Sequence, residues 1–245
     1  MNAHRAENRS RKLDRMPPAL RGGLPRWLAR ARRWRRLVSL RFVGLGPFVR
    51  RTCDIVVTGV ALLMLAPLFA ATVVAVRFSS RGPAFFSQER LGRGGRPFKL
   101  WKFRTMICGA DKLKSALAVA QQGVTDGVRF KIRRDPRVTP VGRILRRFSI
   151  DELPQLWNVF RGDMTLLGPR PPVWREVALY SPRALRRLEA KPGLTCLWQV
   201  GGRSDLSFEQ QVELDLQYID RTTVTEELTI LGKTVPAVLT GRGAY

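Results

Sequence analysis

The sequence lacks the residues from which many hydrolytic and metal sites are built. Its single histidine, His4, lies in a basic N-terminal stretch. A Ser-His-Asp triad, a histidine proton shuttle and a histidine-ligated zinc site are therefore excluded from the body of the chain. The three cysteines are an odd number and contain no C-x-x-C pair. They argue against a disulfide framework or a thiolate zinc site and fit a reducing compartment.

Acidic residues are also scarce. The 245 residues include 19 Asp and Glu against 44 Lys and Arg, a net charge of +25. Residues 1–52 carry fifteen of the basic residues and two acidic ones, interrupted by proline and glycine. We predict a flexible basic leader over 1–52, which is either simply solvated or bound to an anionic surface. An anionic membrane is favoured over nucleic acid, because each nearby Lys or Arg contributes about 1 kcal/mol there and no nucleic-acid-reading motif follows.

A long apolar run follows the leader. Ile55 to Val76 contains 22 residues without a charge, and a helix of that length is about 33 Å long, close to a bilayer core of about 30 Å. Pro67 interrupts the run and predicts a kink about one turn earlier, near Leu63. Arginines flank both ends, so both ends favour the cytoplasmic face. We predict a re-entrant helix-break-helix over 53–79, with a bent span as the alternative, and an ion pair between Asp54 and a neighbouring arginine.

The rest of the chain predicts a mostly α fold with minor β structure. Residues 80–245 are predicted to form one small α-rich cytoplasmic catalytic domain with surface amphipathic helices. Apolar and basic residues alternate from Phe98 to Met106, which predicts a strand or extended edge. Capping residues predict the helix starts. These lie at Thr139-Pro140, at Ser149 with Glu152 (a helix running toward Phe160), at Ser207 with Gln210 and at Thr223 with Glu226, and a further short helix is predicted over Asp111 to Ala120.

Two adjacent carboxylates, Asp151 and Glu152, are the strongest chemical signal. Acids in a first helical turn often do no more than complement the helix dipole. Without a usable histidine, however, an aspartate is the natural nucleophile and forms an acyl phosphate by attacking phosphorus. A helix N-terminus would keep that aspartate ionised. Glu152 suits Mg²⁺, and Arg146 and Arg170 suit phosphoryl oxygens.

These residues lie within an ordered series of motifs that resembles the bacterial sugar transferase family, the small monotopic phosphoglycosyl transferases. The resemblance runs from about Arg50 to Val238, and its motifs are specific as a set rather than singly. They are Arg51 to Asp54, the proline-broken apolar run, Phe85 to Gly92, Phe98 to Met106, Asp151 to Gln155, Gly162 to Met164, Gly168 to Pro171, Lys191 to Thr195 and Glu213 to Asp215.

The resemblance implies an enzyme with a re-entrant membrane helix on the cytoplasmic face of the bacterial inner membrane. It would transfer a sugar-1-phosphate from a UDP-sugar to undecaprenyl (polyprenyl) phosphate and release UMP, with Mg²⁺ as cofactor. This is the first membrane step of exopolysaccharide or glycan biosynthesis. Anionic lipids are further partners, an oligomer is compatible with the sequence, and the sugar stays open. The alternative is a non-enzymatic basic protein that binds membrane surfaces or nucleic acid.

The resemblance also assigns residues. Asp151 is the nucleophile and Glu152 the Mg²⁺ ligand. Lys102, Arg146, Arg170 and Glu227 match the family's substrate-phosphate-binding positions. Three positions depart from the family's usual pattern. Ala66 stands before the helix-breaking proline, where the family usually has serine. Cys196 stands where glycine is common, and Glu227 stands where the late acidic residue is often aspartate.

Overall fold

The computed structural model describes residues 46–110, 135–202, 206–221 and 223–240, together with the short antiparallel strands β3 (Val124–Thr125) and β4 (Phe130–Lys131). Helices predominate in these residues and are accompanied by small two-stranded sheets, which confirms the predicted fold class at this level. Most of the predicted leader and the whole of the helix predicted over Asp111 to Ala120 lie outside the described residues.

The apolar run forms two helices, α1 (Pro47–Met64) and α2 (Ala66–Ser79), which meet at Leu65 with a bend of 60°. Pro67 lies in the first turn of α2, where a missing N–H is tolerated. The predicted kink is thus confirmed. Within the described ranges, neither helix alone has the length and apolarity to cross a bilayer, whereas the two together meet both criteria.

The hairpin of β1 (Phe85–Leu91) and β2 (Pro97–Phe103) follows the bent helices. It confirms the strand predicted from the alternating pattern. Gly94 and Gly95 turn the chain with φ of 72° and 73°, a region that favours glycine. Phe103 packs edge-on against Phe69 of α2, with ring centroids 5.2 Å apart. The hairpin therefore lies against the second apolar helix.

Helix α3 (Pro140–Arg147) begins as predicted, because the Thr139 hydroxyl accepts a hydrogen bond from the Gly142 amide at 3.0 Å. The helix predicted from Ser149 is wrong. Ser149 adopts a left-handed conformation with φ of 54° and makes no side-chain cap. A 3₁₀ turn (Ile150–Glu152) and a separate helix α4 (Gln155–Arg161) follow it. Pro154 cannot donate to the turn before it and crowds that turn, which disfavours one continuous α-helix.

The C-terminal half surrounds a parallel pair of strands, β5 (Thr165–Leu167) and β6 (Gly193–Thr195). The predicted capping boxes at Ser207 and Thr223 are confirmed, since each side chain accepts from the amide three residues on, at 3.3 Å in both cases. The remaining helices are α5 (Trp174–Val177), α6 (Pro182–Leu185), a 3₁₀ turn (Arg186–Glu189), α7 (Leu197–Gly201), α8 (Phe208–Arg221) and α9 (Val224–Thr240).

Candidate active site

The two carboxylates lie on the 3₁₀ turn, which packs against the end of β2. Lys102 of β2 places its Nζ 2.5 Å from Glu152 Oε1 and 3.7 Å from Asp151 Oδ2. Asp151 is buried, whereas the Glu152 side chain is 27% exposed. One lysine thus serves both acids, and the three side chains form a compact charged cluster, which we call the dyad cluster.

Asn158 of α4 holds this turn against the hairpin. Its side chain is fully buried, accepts a hydrogen bond from the Trp101 amide at 3.0 Å and donates to the Lys99 carbonyl at 2.7 Å. These backbone groups lie on the edge of β2 that does not pair with β1. The Asn158 amide therefore takes the place of a neighbouring strand, a role that the sequence analysis missed because its partners lie far away in the chain.

The electrostatics of the two acids differ. Burial raises the pKa of Asp151, and the charges of Lys102 and Arg146 oppose that rise. Burial alone would also raise the pKa of Glu152, but Lys102, Arg170 and Arg90 outweigh it and lower the pKa to about 2. Glu152 is therefore ionised throughout the physiological range. Asp151 lies in a 3₁₀ turn, so the α-helix N-terminus that was expected to keep it ionised is not present there. The charges of Lys102 and Arg146 favour its ionised form, but burial has the larger effect on its pKa.

The opposite wall of the site is the loop after β5. Gly168 donates its amide to the Thr195 carbonyl at 3.1 Å, and Gly193 donates to the Pro169 carbonyl at 3.0 Å. A Cβ on either glycine would overlap the backbone of the other strand, so only glycine allows this approach. The close contact places Arg170 opposite the dyad cluster.

Between the two walls lies a small open pocket. Lys102 and Glu152 lie on one wall and Arg170 lies on the other, and apolar and amide groups complete the lining. The lining residues are Leu100, Lys102, Glu152, Gln155, Arg170, Pro171, Gly193, Leu194 and Gln199. The structure thus brings three of the predicted site residues, Lys102, Glu152 and Arg170, onto one pocket, with Asp151 beside Lys102.

Arg90 of β1 is a second residue that the sequence analysis missed. It is buried and donates to the Pro171 carbonyl at 3.0 Å and to Gln88 Oε1 at 2.8 Å. Burial, followed by repulsion from Arg170, lowers its pKa to about 10. Arg90 therefore holds the loop that carries Arg170 while adding positive charge behind it.

The other two predicted residues occupy different places. Arg146 of α3 donates its Nε to the Thr105 hydroxyl at 3.0 Å, and its charge favours the ionised form of Asp151. Glu227 of α9 is buried away from the pocket lining, where it forms an ion pair with Arg50. The Tyr218 hydroxyl lies 3.0 Å from Glu227 Oε1 and also contacts β5. A substrate-binding role for Glu227 stays a prediction.

The start of α1 also contacts the walls of the site, and here the predicted ion pair of Asp54 is wrong. Asp54 is buried and accepts from the Thr165 hydroxyl at 2.8 Å and the Leu166 amide at 3.0 Å. Arg51 instead donates to the carbonyls of Val159 and Phe160, at 2.7 and 2.6 Å. The backbone of β5 and α4 supplies these partners, so the start of α1 is bound to both walls of the site.

Comparison with known proteins identifies the family of the chain. The sequence profile described as bacterial sugar transferase matches residues 45–241. The chain belongs to the bacterial sugar transferase family. The resemblance inferred from the motifs is thus confirmed, and this sugar transferase falls among enzymes rather than in the non-enzymatic class left as the alternative.

Three relatives illustrate the similarity. The sugar transferase is 41% identical over 203 residues to the exopolysaccharide production protein ExoY of Rhizobium meliloti (strain 1021), covering 82% of this chain and 90% of the relative. It is 41% identical over 200 residues to the undecaprenyl-phosphate galactose phosphotransferase of Salmonella typhimurium, covering 81% of this chain and 42% of the relative. It is 42% identical over 204 residues to the UDP-glucose:undecaprenyl-phosphate glucose-1-phosphate transferase of Caulobacter vibrioides, covering 80% and 72%.

Proposed function

We propose that this sugar transferase moves a sugar-1-phosphate from a UDP-sugar to undecaprenyl phosphate and releases UMP, the first membrane step of exopolysaccharide biosynthesis. The names of the Salmonella and Caulobacter relatives supply this class of substrates. The observation that carries the proposal is the dyad cluster on one wall of a pocket whose other wall presents Arg170. A diphosphate needs cations on both sides and a nucleophile near its phosphorus. Lys102 and Arg170 line this pocket, and Asp151 lies beside Lys102.

The proposed reaction is a double displacement at phosphorus in which Asp151 is the nucleophile. An ionised Asp151 oxygen attacks the β-phosphorus of the UDP-sugar, and the bond from that phosphorus to the bridging oxygen breaks, so that UMP leaves with the electron pair. A phosphate oxygen of the lipid acceptor then attacks the same phosphorus and returns the carboxylate of Asp151. Lys102 and Arg170 offset the negative charge that develops in both steps.

The donor set at the dyad cluster fits Mg²⁺ only in part. Glu152 and Asp151 are adjacent carboxylates, but Glu152 already pairs with Lys102. The described part of the chain contains no group of three or more His, Cys, Asp or Glu side chains that could hold a metal ion. Mg²⁺ is commonly held by one or two carboxylates together with substrate phosphates, so Glu152 suits an ion that arrives with the diphosphate. Such an ion would neutralise charge on the leaving phosphate.

We also propose that α1 and α2 form a re-entrant membrane hairpin with the site on the cytoplasmic side. Both outer ends of the bent pair contact the body of the protein. Arg51 and Asp54 bind α4 and β5, and at the far end Arg104 donates to the Ser80 and Arg81 carbonyls at 2.7 and 2.9 Å. Large apolar side chains on both helices are exposed, among them Val56, Leu63, Met64, Val74 and Phe78. Because the outer ends of α1 and α2 contact the same part of the protein, a re-entrant hairpin is favoured over a helix that spans the membrane.

The covalent step is tested with the full-length protein in detergent or nanodiscs. Incubation with UDP-galactose or UDP-glucose and Mg²⁺, without lipid acceptor, is expected to add the mass of one sugar phosphate and to release one UMP per protein. Asp151→Asn is expected to abolish both signals. The matched variant Asp220→Asn changes an acid of α8 that pairs with Arg186, and it should retain both. An adduct that forms in Asp151→Asn, or UMP release that requires both substrates at once, would refute the mechanism.

The topology needs a separate measurement. Single cysteines introduced at residues 2 and 245 are both expected to be protected from an impermeant thiol reagent in intact cells. Labelling at one end alone would mean a spanning helix. Omission of Mg²⁺, or EDTA, is expected to slow UMP release, and an unchanged rate would remove the metal from the proposal.

A further inference from the structure

The pocket contains one buried amide that no protein group satisfies. Gln155 begins α4, three residues after Glu152, and only 4% of its surface is exposed. Within the described ranges of the chain, its side chain has no hydrogen-bond partner, yet neither its amide oxygen nor its amide nitrogen is fully enclosed. The small exposed part of Gln155 thus includes both polar atoms, and Gln155 lines the pocket.

Within the described residues, this leaves water or a ligand that enters the pocket as the partner of the amide. Buried amides almost always have hydrogen-bond partners, because an unsatisfied one loses its interaction with water. Among the other polar groups of the pocket, Lys102 pairs with Glu152, and Gln199 accepts from the Cys196 thiol at 3.1 Å. Arg170, like Gln155, makes no hydrogen bond within the described residues. Gln155 is therefore the uncharged polar side chain of the pocket that is best placed to serve a ligand without first giving up a protein contact.

The chemistry of the amide indicates which part of a ligand it meets. An amide both donates and accepts, as a hydroxyl does, whereas phosphate oxygens accept only. The pocket already supplies Lys102 and Arg170 for phosphate. Apolar lining from Leu100 and Leu194 suits the C–H face of a sugar ring. Gln155 also follows the dyad closely in the chain and lines the same pocket as Glu152.

We infer that Gln155 is a sugar-binding residue, whose amide hydrogen-bonds a hydroxyl of the donor sugar. This inference rests on the proposed function and deepens it, since it assigns a residue that contacts the sugar of the donor. The contact is to a neutral hydroxyl, so its loss is expected to weaken donor binding about threefold to tenfold rather than to abolish turnover.

The test compares Gln155→Met with Gln217→Met in the full-length protein. Methionine preserves length and removes the amide, and Gln217 is an exposed residue of α8. Gln155→Met is expected to weaken the binding of UDP-galactose or UDP-glucose by that factor while UMP, which lacks the sugar, binds within twofold of wild type. Gln217→Met should leave both unchanged. Equal weakening of UMP, or no change for either ligand, overturns the inference.

A second measurement uses the wild-type protein and does not depend on the variant folding. Donors deoxygenated at single ring positions are compared with the parent UDP-sugar, and one of them should bind about threefold to tenfold more weakly. Gln155→Met should bind that donor as well as it binds the parent, because the contact is already missing. If every deoxygenated donor binds wild type normally, the inference fails while the proposed function stands. If wild type binds no UDP-sugar, the proposed function fails and the inference falls with it.

Discussion

Replacing Asn158 tests whether one buried amide holds the catalytic turn against the hairpin. Asn158 is fully buried and joins α4 to β2 through the Trp101 amide and the Lys99 carbonyl. Its amide nitrogen also lies 3.2 Å from Asp163 Oδ2. Asn158→Ala removes the side chain and leaves both backbone groups of β2 without a protein partner.

The expected loss follows from those two groups. A buried donor or acceptor left unsatisfied costs about 1–3 kcal/mol. Two such groups therefore cost about 2–6 kcal/mol, and a water entering the space vacated by the side chain would bring the loss toward the lower half of that range. Against a typical total stability of about 5–15 kcal/mol, this is a large fraction. A loss of 2–4 kcal/mol lowers the melting temperature of a protein of this size by about 5–15 °C.

The assay is thermal unfolding in detergent, followed by tryptophan fluorescence and combined with the UMP-release rate at a temperature where both proteins are folded. Gln217→Ala, an exposed amide on α8, is the control and should melt within about 1–2 °C of wild type. Because Asn158 joins α4 to β2, and Lys102 is on β2, the rate should fall together with stability. A melting temperature for Asn158→Ala within 2 °C of wild type would show that the amide does not hold the two elements together.

Two further predictions concern charged side chains. Lys102→Met removes the cation that opposes the effect of burial on the pKa of Asp151, so that pKa is expected to rise further. The acid limb of the kcat/KM profile should therefore move to higher pH. Lys102→Arg keeps the positive charge and should leave the limb near its wild-type position. A pH profile of UMP release measures this, and an unmoved limb in Lys102→Met contradicts it. Arg104→Met deletes the guanidinium that binds the Ser80 and Arg81 carbonyls, so trypsin should cleave after Arg81 several-fold faster, with partial recovery in Arg104→Lys. Equal cleavage rates would mean that Arg104 does not anchor α2.

Sequence patterns predicted the local structure correctly where the two hydrogen-bonding groups are close together in the chain. The caps at Thr139, Ser207 and Thr223 form as expected, because a hydroxyl and the amide three residues on are already close. The same pattern failed at Ser149. There Pro154 follows within the span that a capped helix would need, and the chain tightens into a 3₁₀ turn instead. A capping pattern is therefore reliable only when no proline lies in the second turn of the helix that it would start.

The amino-acid sequence by itself determined the bend of the apolar run, the helix starts at Thr139, Ser207 and Thr223, and the family, because each depends on residue types close together or in a fixed order. The tertiary structure alone decided which polar groups meet. Lys102 and Glu152 are 50 residues apart, and Asn158 and Lys99 are 59 apart. Asp54 finds Thr165 across 111 residues rather than the arginines beside it. A buried polar group takes whichever partner the packing brings to it, and packing over such distances leaves no local pattern to read.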